Sequence, residues 1–175
     1  MPGYVIHLSI ANEYMSKHKI DNKQEFMEGT VYPDDTTDKR QTHYAKTSST
    51  DTDLYQFLIH QKLDSDFKRG WFLHLFADYL FYNHYFSEWR TISFEILYRD
   101  YDILNPVLIE KYKIDYIPKG KEKFFTCEVK GDTVAYHYEK IIQFIEDISN
   151  YNLEELAEKI LRDKNTTFLF KSNFS

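Results

Sequence analysis

The sequence predicts an all-α fold: a single-domain helical bundle built around one buried central helix at residues 66–86. Three observations carry that expectation. The stretch Gly70 to Phe86, GWFLHLFADYLFYNHYF, places Trp71, Phe72, Leu73, Leu75, Phe76, Ala77, Leu80 and Phe81 on every side of the helical wheel, so this helix should be surrounded by protein. Helical spacing of apolar residues recurs along most of the remaining chain. Finally, 175 residues suffice for one well-cored domain and are too few for two comfortable ones, so the unit is read as 1–175.

In chain order, Val5, Ile6, Ile10 and Tyr14, with Leu8 and Ala11 beside them, predict a first amphipathic helix over residues 3–17, and His7 lies at its start. Asp21 or Asn22 offers an N-cap for a short helix through Phe26 and Met27 that ends near Gly29. Pro33 then sets an extended turn that carries Asp34 and Asp35. Residues 36–52 are rich in Thr, Ser, Asp and Lys and read as a long loop around His43; such loops are uncommon unless functional or mobile. A helix resumes near Thr52, capped by Thr50, Asp51 or Thr52, and runs to about Lys62. Asp64 and Ser65 cap the central helix.

Beyond Ser87, the spacing of Trp89, Ile92, Phe94, Ile96, Leu97 and Tyr101 predicts another helix, and Asn105-Pro106 starts a further one. Between Pro118 and Gly131 the β-prone FFTCEV predicts a short strand or hairpin near residues 124–136. Two closing helices follow, at about 136–148 and 152–162, the second started by Asn152, and the tail 164–175 is expected to be loosely held.

Composition narrows the function. The net charge is −6 and no segment gathers the basic residues into a stripe, so duplex nucleic acid is not an expected partner. No apolar run is long enough to cross a bilayer, which speaks against an integral membrane protein. The single cysteine, Cys127, cannot form an internal disulfide, and the opening MPGYVIHLSI lacks the basic and apolar regions of a secretory signal; a cytoplasmic protein is expected. The 15 Tyr and 14 Phe supply bulky core filling together with phenols for its edge.

Within the apolar central helix, His74 and Asp78 are four residues apart, about 40° on the wheel, so both side chains can reach one point. A buried unpartnered carboxylate is costly, and a divalent metal is the partner that suits imidazole with carboxylate; a plain His–Asp hydrogen bond is the alternative. His7, Asp34, His43 and His84 are too many further candidates for one structural hydrogen bond.

A helical His at the start, the Gly-x-x-x-Pro-Asp loop from Gly29 to Asp34, the loop residue His43, and the H-x3-D-x5-H pattern of His74, Asp78 and His84 together resemble the zinc-dependent phospholipase C family. That family is related to the fungal single-strand-specific nucleases, and the resemblance covers roughly the first half of the chain. It implies an all-α fold and a metal cluster acting on phosphoric esters. Asp34, His43, His74 and Asp78 would form one site, Asp78 would bridge to a metal also held by His7, and His84 would belong to another. The family completes that last site with a later His and a Glu four residues on, whereas here His137 is followed at that spacing by Ile141. One or two ions are therefore expected, zinc first and Mn2+ or Fe2+ next.

The implied activity is metal-assisted hydrolysis of a small phosphoester or a phospholipid-like substrate, with Asp34 as the catalytic carboxylate that touches metal and orients the water. Tyr32, Tyr44 or Tyr82 could donate hydrogen bonds to substrate oxygens. Two alternatives stand beside it. An HD-type phosphohydrolase is also all-α, but it needs an adjacent His-Asp pair, and none of the seven histidines precedes an aspartate. A non-catalytic protein stapled by metal would use the same ligands with a closed coordination sphere.

Overall fold

A computed structural model of the chain describes residues 3–126 and 128–165. Among these residues the fold is all-α with no strand. The helices are α1 (Tyr4–Lys17), α2 (Lys23–Val31), α3 (Lys39–Thr42), α4 (Leu54–His60), α5 (Asp66–Leu80), α6 (Phe94–Tyr112), α7 (Lys123–Thr126), α8 (Tyr138–Ser149) and α9 (Leu153–Arg162). Short 3-10 turns occupy Tyr32–Asp34, Ser49–Asp51 and Ser87–Thr91, and a π-helical turn, Phe81–Tyr85, extends α5. No helix among the described residues is long and apolar enough to cross a membrane. The tail expected to be loose falls, from residue 166 onward, outside the described residues.

The central helix is α5. Every residue from Gly70 to Asp78 is buried, as all-round apolar patterning requires. Its start is fixed by Ser65, whose Oγ accepts the Lys68 amide at 3.2 Å, while Asp66 accepts the Asn22 amide at 2.7 Å and so ties α5 to the beginning of α2. Side-chain caps recur at Asn22, Asp53, Ser93 and Asn152, each satisfying one of the orphan amides of its helix. Helix α1 is more buried than an amphipathic reading allows, since Val5 through Ala11 are buried without a break.

The most extensive helix contact is α2 against α5. Two glycines explain it. A Cβ on Gly29 would fall on the Phe67 carbonyl oxygen, and a Cβ on Gly70 on the Phe26 carbonyl oxygen, both far inside van der Waals contact. Only glycine on each side lets the two backbones approach this closely. Helix α1 packs on both and in turn meets α6 and α8, the latter with the apolar stripe Ile141, Phe144, Ile145 and Ile148, while α4 and α9 pack on α5.

Four local expectations are corrected. The hairpin near 124–136 is absent among the described residues: Phe124 and Phe125 sit in α7, and the amides of Val134, Ala135 and Tyr136 all bind the buried Asp100 carboxylate at 2.7–3.2 Å, which leaves no ladder to form. Asn105-Pro106 does not start a helix. Pro106 lies inside α6, where burial of Leu97, Tyr101, Leu104 and Leu108 along one face outweighs the roughly 3 kcal/mol a proline costs a helix interior. Pro33 enters a 3-10 turn rather than an extended one, because its fixed φ suits a first turn and its missing amide is not needed there. The polar run 36–52 contains α3 and a 3-10 turn, whose caps are the Asp38 and Ser48 that made it read as loop.

Candidate metal centre

Four separate segments deliver side chains to one buried point. His7 comes from the first turn of α1, Asp34 from the 3-10 turn after α2, His43 from the C-terminal end of α3, and His74 and Asp78 from successive turns of α5. Asp34 is 6 % exposed and the other four are at most 2 % exposed. The α3 segment is strapped in place, with the Trp71 indole donating to the Thr42 carbonyl at 2.8 Å and the Thr42 hydroxyl donating to the Pro33 carbonyl at 2.7 Å.

Asp78 is the hub. One carboxylate oxygen lies 3.1 Å from His7 Nε2, and the other lies 3.0 Å from His43 Nε2 and 3.2 Å from His74 Nε2. Asp34 Oδ1 stands 3.5 Å from His43 Nε2 and 3.6 Å from His74 Nε2. Despite these separations, His7 Nε2, Asp34 Oδ1, His43 Nε2, His74 Nε2 and both Asp78 oxygens make no hydrogen bond of acceptable geometry. Buried polar atoms left in that state are expensive, and six in one place require an explanation.

The far side of each ring supplies one. His74 Nδ1 lies 2.7 Å from the Thr30 carbonyl, and His43 Nδ1 lies 2.7 Å from the Lys39 carbonyl. A carbonyl only accepts, so both rings carry their proton on Nδ1 and turn the Nε2 lone pair inward in the neutral state. That is the arrangement metal-ligating histidines adopt. Around a tetrahedral zinc with bonds of about 2.0–2.1 Å, neighbouring ligand atoms stand roughly 3.3–3.4 Å apart. The four separations among Asp34, His43, His74 and Asp78 run from 3.0 to 3.6 Å. Both His7–His74–Asp78 and Asp34–His43–His74 have ligand atoms close enough to hold an ion.

Electrostatics agree. Burial opposes charge on His74, yet the carboxylates of Asp34 and Asp78 outweigh it and push the ring up to about 10. Burial and the neighbouring His74 bring His7 down to about 4. Burial also works against both carboxylates, but His74 and its neighbours hold Asp34 down at about 2 and Asp78 well below the carboxylate range. The two carboxylates are met by the His74 ring and, at Asp34, by the Lys39 ammonium 3.6 Å away. The buried His/Asp cage can hold a divalent metal ion. No protein-family model, curated protein or solved structure matches the chain.

Of the six residues singled out from sequence, five meet in the cage and His84 stands outside both groups. His84 lies inside the π turn Phe81–Tyr85 and is exposed beside the Tyr79 ring at 5.8 Å, its pKa lowered by partial burial. Among the three phenols, Tyr82 is buried one turn beyond Asp78, whereas Tyr44 accepts from the Gln61 amide and Tyr32 packs at the surface on Trp71. Sequence reasoning missed the Thr30 and Lys39 carbonyls. Gly29 and Gly70 signalled the first, since glycine within a helical pattern marks close backbone approach, and the Lys39 carbonyl had no signal beyond the four-residue step to His43.

Two cavities share a border beside the cage, and Asp34 lines one of them. One of about 700 Å³ has Tyr82, Trp89, Phe94 and Tyr98 facing the hydroxyls of residues 47–50. The other, about 650 Å³, is lined by Asp34 together with Tyr4, Lys39 and Tyr101. They meet at Thr36, Lys39, Tyr98 and Tyr101.

Proposed function

We propose that this protein is a metal-dependent hydrolase of phosphoric esters, resembling zinc-dependent phospholipase C. The observation that carries the reading is the set of six inward-facing, unbonded nitrogen and oxygen atoms beside a cavity that Asp34 borders. Asp34, His43, His74 and Asp78 would hold one zinc ion, and His7 with the second Asp78 oxygen would hold another. Such an ion supplies Lewis acidity and lowers the pKa of water, which suits phosphoester hydrolysis. Asp34 is the catalytic candidate, because its carboxylate both faces the cage and borders the cavity, where it can orient a water. Tyr82 keeps its proton, since burial and Asp78 push the phenol far up, and it stands ready to donate a hydrogen bond. Mn2+ or Fe2+ fits the same nitrogen and oxygen ligands.

The test is metal analysis of the purified chain, followed by a panel of phosphate mono- and diesters assayed with and without chelator. One or two equivalents of metal and chelator-sensitive turnover are expected; absence of stoichiometric metal would refute the reading. A second reading, a metal that staples the fold, draws on the near-complete burial of all five side chains. It is distinguished by a melting temperature that falls steeply in chelator with no ester turned over.

A further inference from the structure

Three buried phenols meet behind the cage, and only one of them has a part in the reaction so far. Tyr82 comes from the π turn that extends α5, Tyr101 from α6, and Tyr136 from the segment that leads into α8. They are 5 %, 7 % and 1 % exposed. The rings of Tyr101 and Tyr136 are stacked at 5.2 Å and 23°, and the Tyr101 hydroxyl is turned toward Tyr136, Tyr82 and Asp78.

The hydroxyls of the stacked pair are unusual. Outside the five cage residues, four buried side-chain atoms among the described residues lack a hydrogen-bond partner, and two of them are the Tyr101 and Tyr136 hydroxyls. Buried tyrosines ordinarily find a partner for the O–H. The pair cannot satisfy itself, because if one phenol donated to the other, the second proton would still lack an acceptor. Asp78 does not supply one, since neither of its oxygens takes a hydrogen bond. Burial holds both phenols well above their usual range, so both remain donors. Tyr82 has Ser49 at its hydroxyl and lies within the field of Asp78 and Asp34.

Tyr136 is fixed from outside. Its amide donates to the fully buried Asp100 carboxylate at 2.9 Å, and its ring packs against Phe81 at 5.3 Å and Phe86 at 5.1 Å. Tyr101 lies on the face of a ring that cannot turn. Uncharged donors held rigid in a buried place are suited to an oxyanion, because they need no reorganisation as charge develops.

We propose that Tyr101 is a catalytic residue that donates its hydroxyl, alongside Tyr82, to the non-bridging oxygens of a phosphoryl group bound at the cage, and that Tyr136, anchored by Asp100, positions it. The group arrives through the cavity of about 700 Å³ that Tyr82 and Tyr101 both line. The catalytic role rests on the hydrolase reading; the binding of a phosphoryl oxygen does not.

The test uses the zinc-loaded full chain and the variants Tyr101→Phe, Tyr136→Phe and the two combined, each of which keeps the rings and deletes an O–H. Melting temperature, zinc stoichiometry, calorimetric titration with inorganic phosphate, and kcat/KM for the ester turned over fastest in the panel are measured. Expected for Tyr101→Phe is full zinc uptake and an unchanged or raised melting temperature, because the lost hydroxyl was buried and unbonded. Phosphate should bind about 10- to 100-fold more weakly and kcat/KM fall by a similar factor, the weight of a hydrogen bond to a charged group. Tyr136→Phe should give a smaller loss of the same kind, and the double variant should be no worse than Tyr101→Phe alone, since Tyr136 acts through Tyr101. Wild-type phosphate affinity and turnover in Tyr101→Phe overturn the proposal, as does a lowered melting temperature with zinc lost, which would make the hydroxyl a structural one. Additive losses in the double variant overturn the positioning role of Tyr136. A zinc-loaded wild type that hydrolyses esters but binds no phosphate overturns the pocket and leaves the hydrolase reading intact. Tyrosine-dependent phosphate binding with no ester hydrolysed does the reverse.

Discussion

Gly70→Ala tests the link between helix packing and the cage. The added methyl would overlap the Phe26 carbonyl oxygen and crowd the Thr30 amide, both on α2. Backbone cannot rotate aside as a side chain can, so relief from 2.1 Å to an ordinary contact of about 3.5 Å requires α2 and α5 to part by roughly 1.4 Å. The Thr30 carbonyl now stands 2.7 Å from His74 Nδ1, and that displacement carries it beyond hydrogen-bond range. Overpacking costs roughly 1–3 kcal/mol, more where backbone meets backbone, against a gain of about 1 kcal/mol from replacing a helical glycine. A net loss of about 1–2 kcal/mol is expected, read as a melting temperature lower by roughly 3–8 °C. Loss of a partner that orients a ligand should also weaken zinc binding about 10- to 100-fold. Gly3→Ala is the control, since its Cβ would meet only Tyr101 at 3.8 Å. A Gly70→Ala protein that melts and binds zinc like the wild type would refute the argument.

Other predictions follow from the same geometry. Asp78→Asn deletes the charge that faces all three histidines, and zinc affinity should fall by about 10²–10⁴, the equivalent of the roughly 3–5 kcal/mol that breaking a buried pair costs; calorimetric affinity within tenfold of wild type would be inconsistent with a hub role. His84→Ala should leave zinc stoichiometry and affinity unaltered, as measured by the same titration. In chelator, stability should have a maximum near neutral pH. His7, lowered from 6.5 to about 4, makes the native state lose stability as pH falls from about 6.5 toward 4. His74, raised from 6.5 to about 10, contributes stability that is full below about 6.5 and is lost as pH rises through about 10. Zinc displaces that proton, so the alkaline decline should flatten in the loaded protein; chelated melts that are level between about pH 7 and 10 would contradict the assignment. Asp100→Ala strands the amides of Val134, Ala135 and Tyr136 at a cost of about 2–4 kcal/mol, with faster amide exchange at 134–136 as the local signature.

The sequence carried the fold wherever periodicity was strong. The all-round apolar character of Gly70 to Ala77 announced a central helix, and the four-residue step from His74 to Asp78 announced that both side chains would reach one point. It misled where a long-range partner decided the outcome. The β-prone segment near Phe124 and Phe125 folded into a helical turn, and the amides farther along went to Asp100, whose place 34 residues away no local pattern shows. Pro106 read as a start signal because burial on both sides of it is invisible in a window. His84, assigned by the resemblance to a separate site, lies inside the π turn Phe81–Tyr85, which changes the direction of its side chain while leaving the spacing of letters intact. His7 and His43 could be named as candidates only by analogy; their approach to Asp78 depends on α1 and α3 being laid across α5.

Two of the three imidazoles are oriented by main-chain oxygens, those of Thr30 and Lys39, and the third, His7, has no partner on Nδ1 and is stacked on His74 at 3.6 Å. Side-chain replacement at position 30 or 39 leaves those oxygens in place, so the lone pairs of His43 and His74 are insulated from local chemical change and respond only to movement of whole segments. The cage is accordingly a gauge of how α2 and α3 sit on α5. Any contact that slides either segment moves both rings together, whereas His7 answers to α1 alone, resting on the His74 ring face and on Asp78.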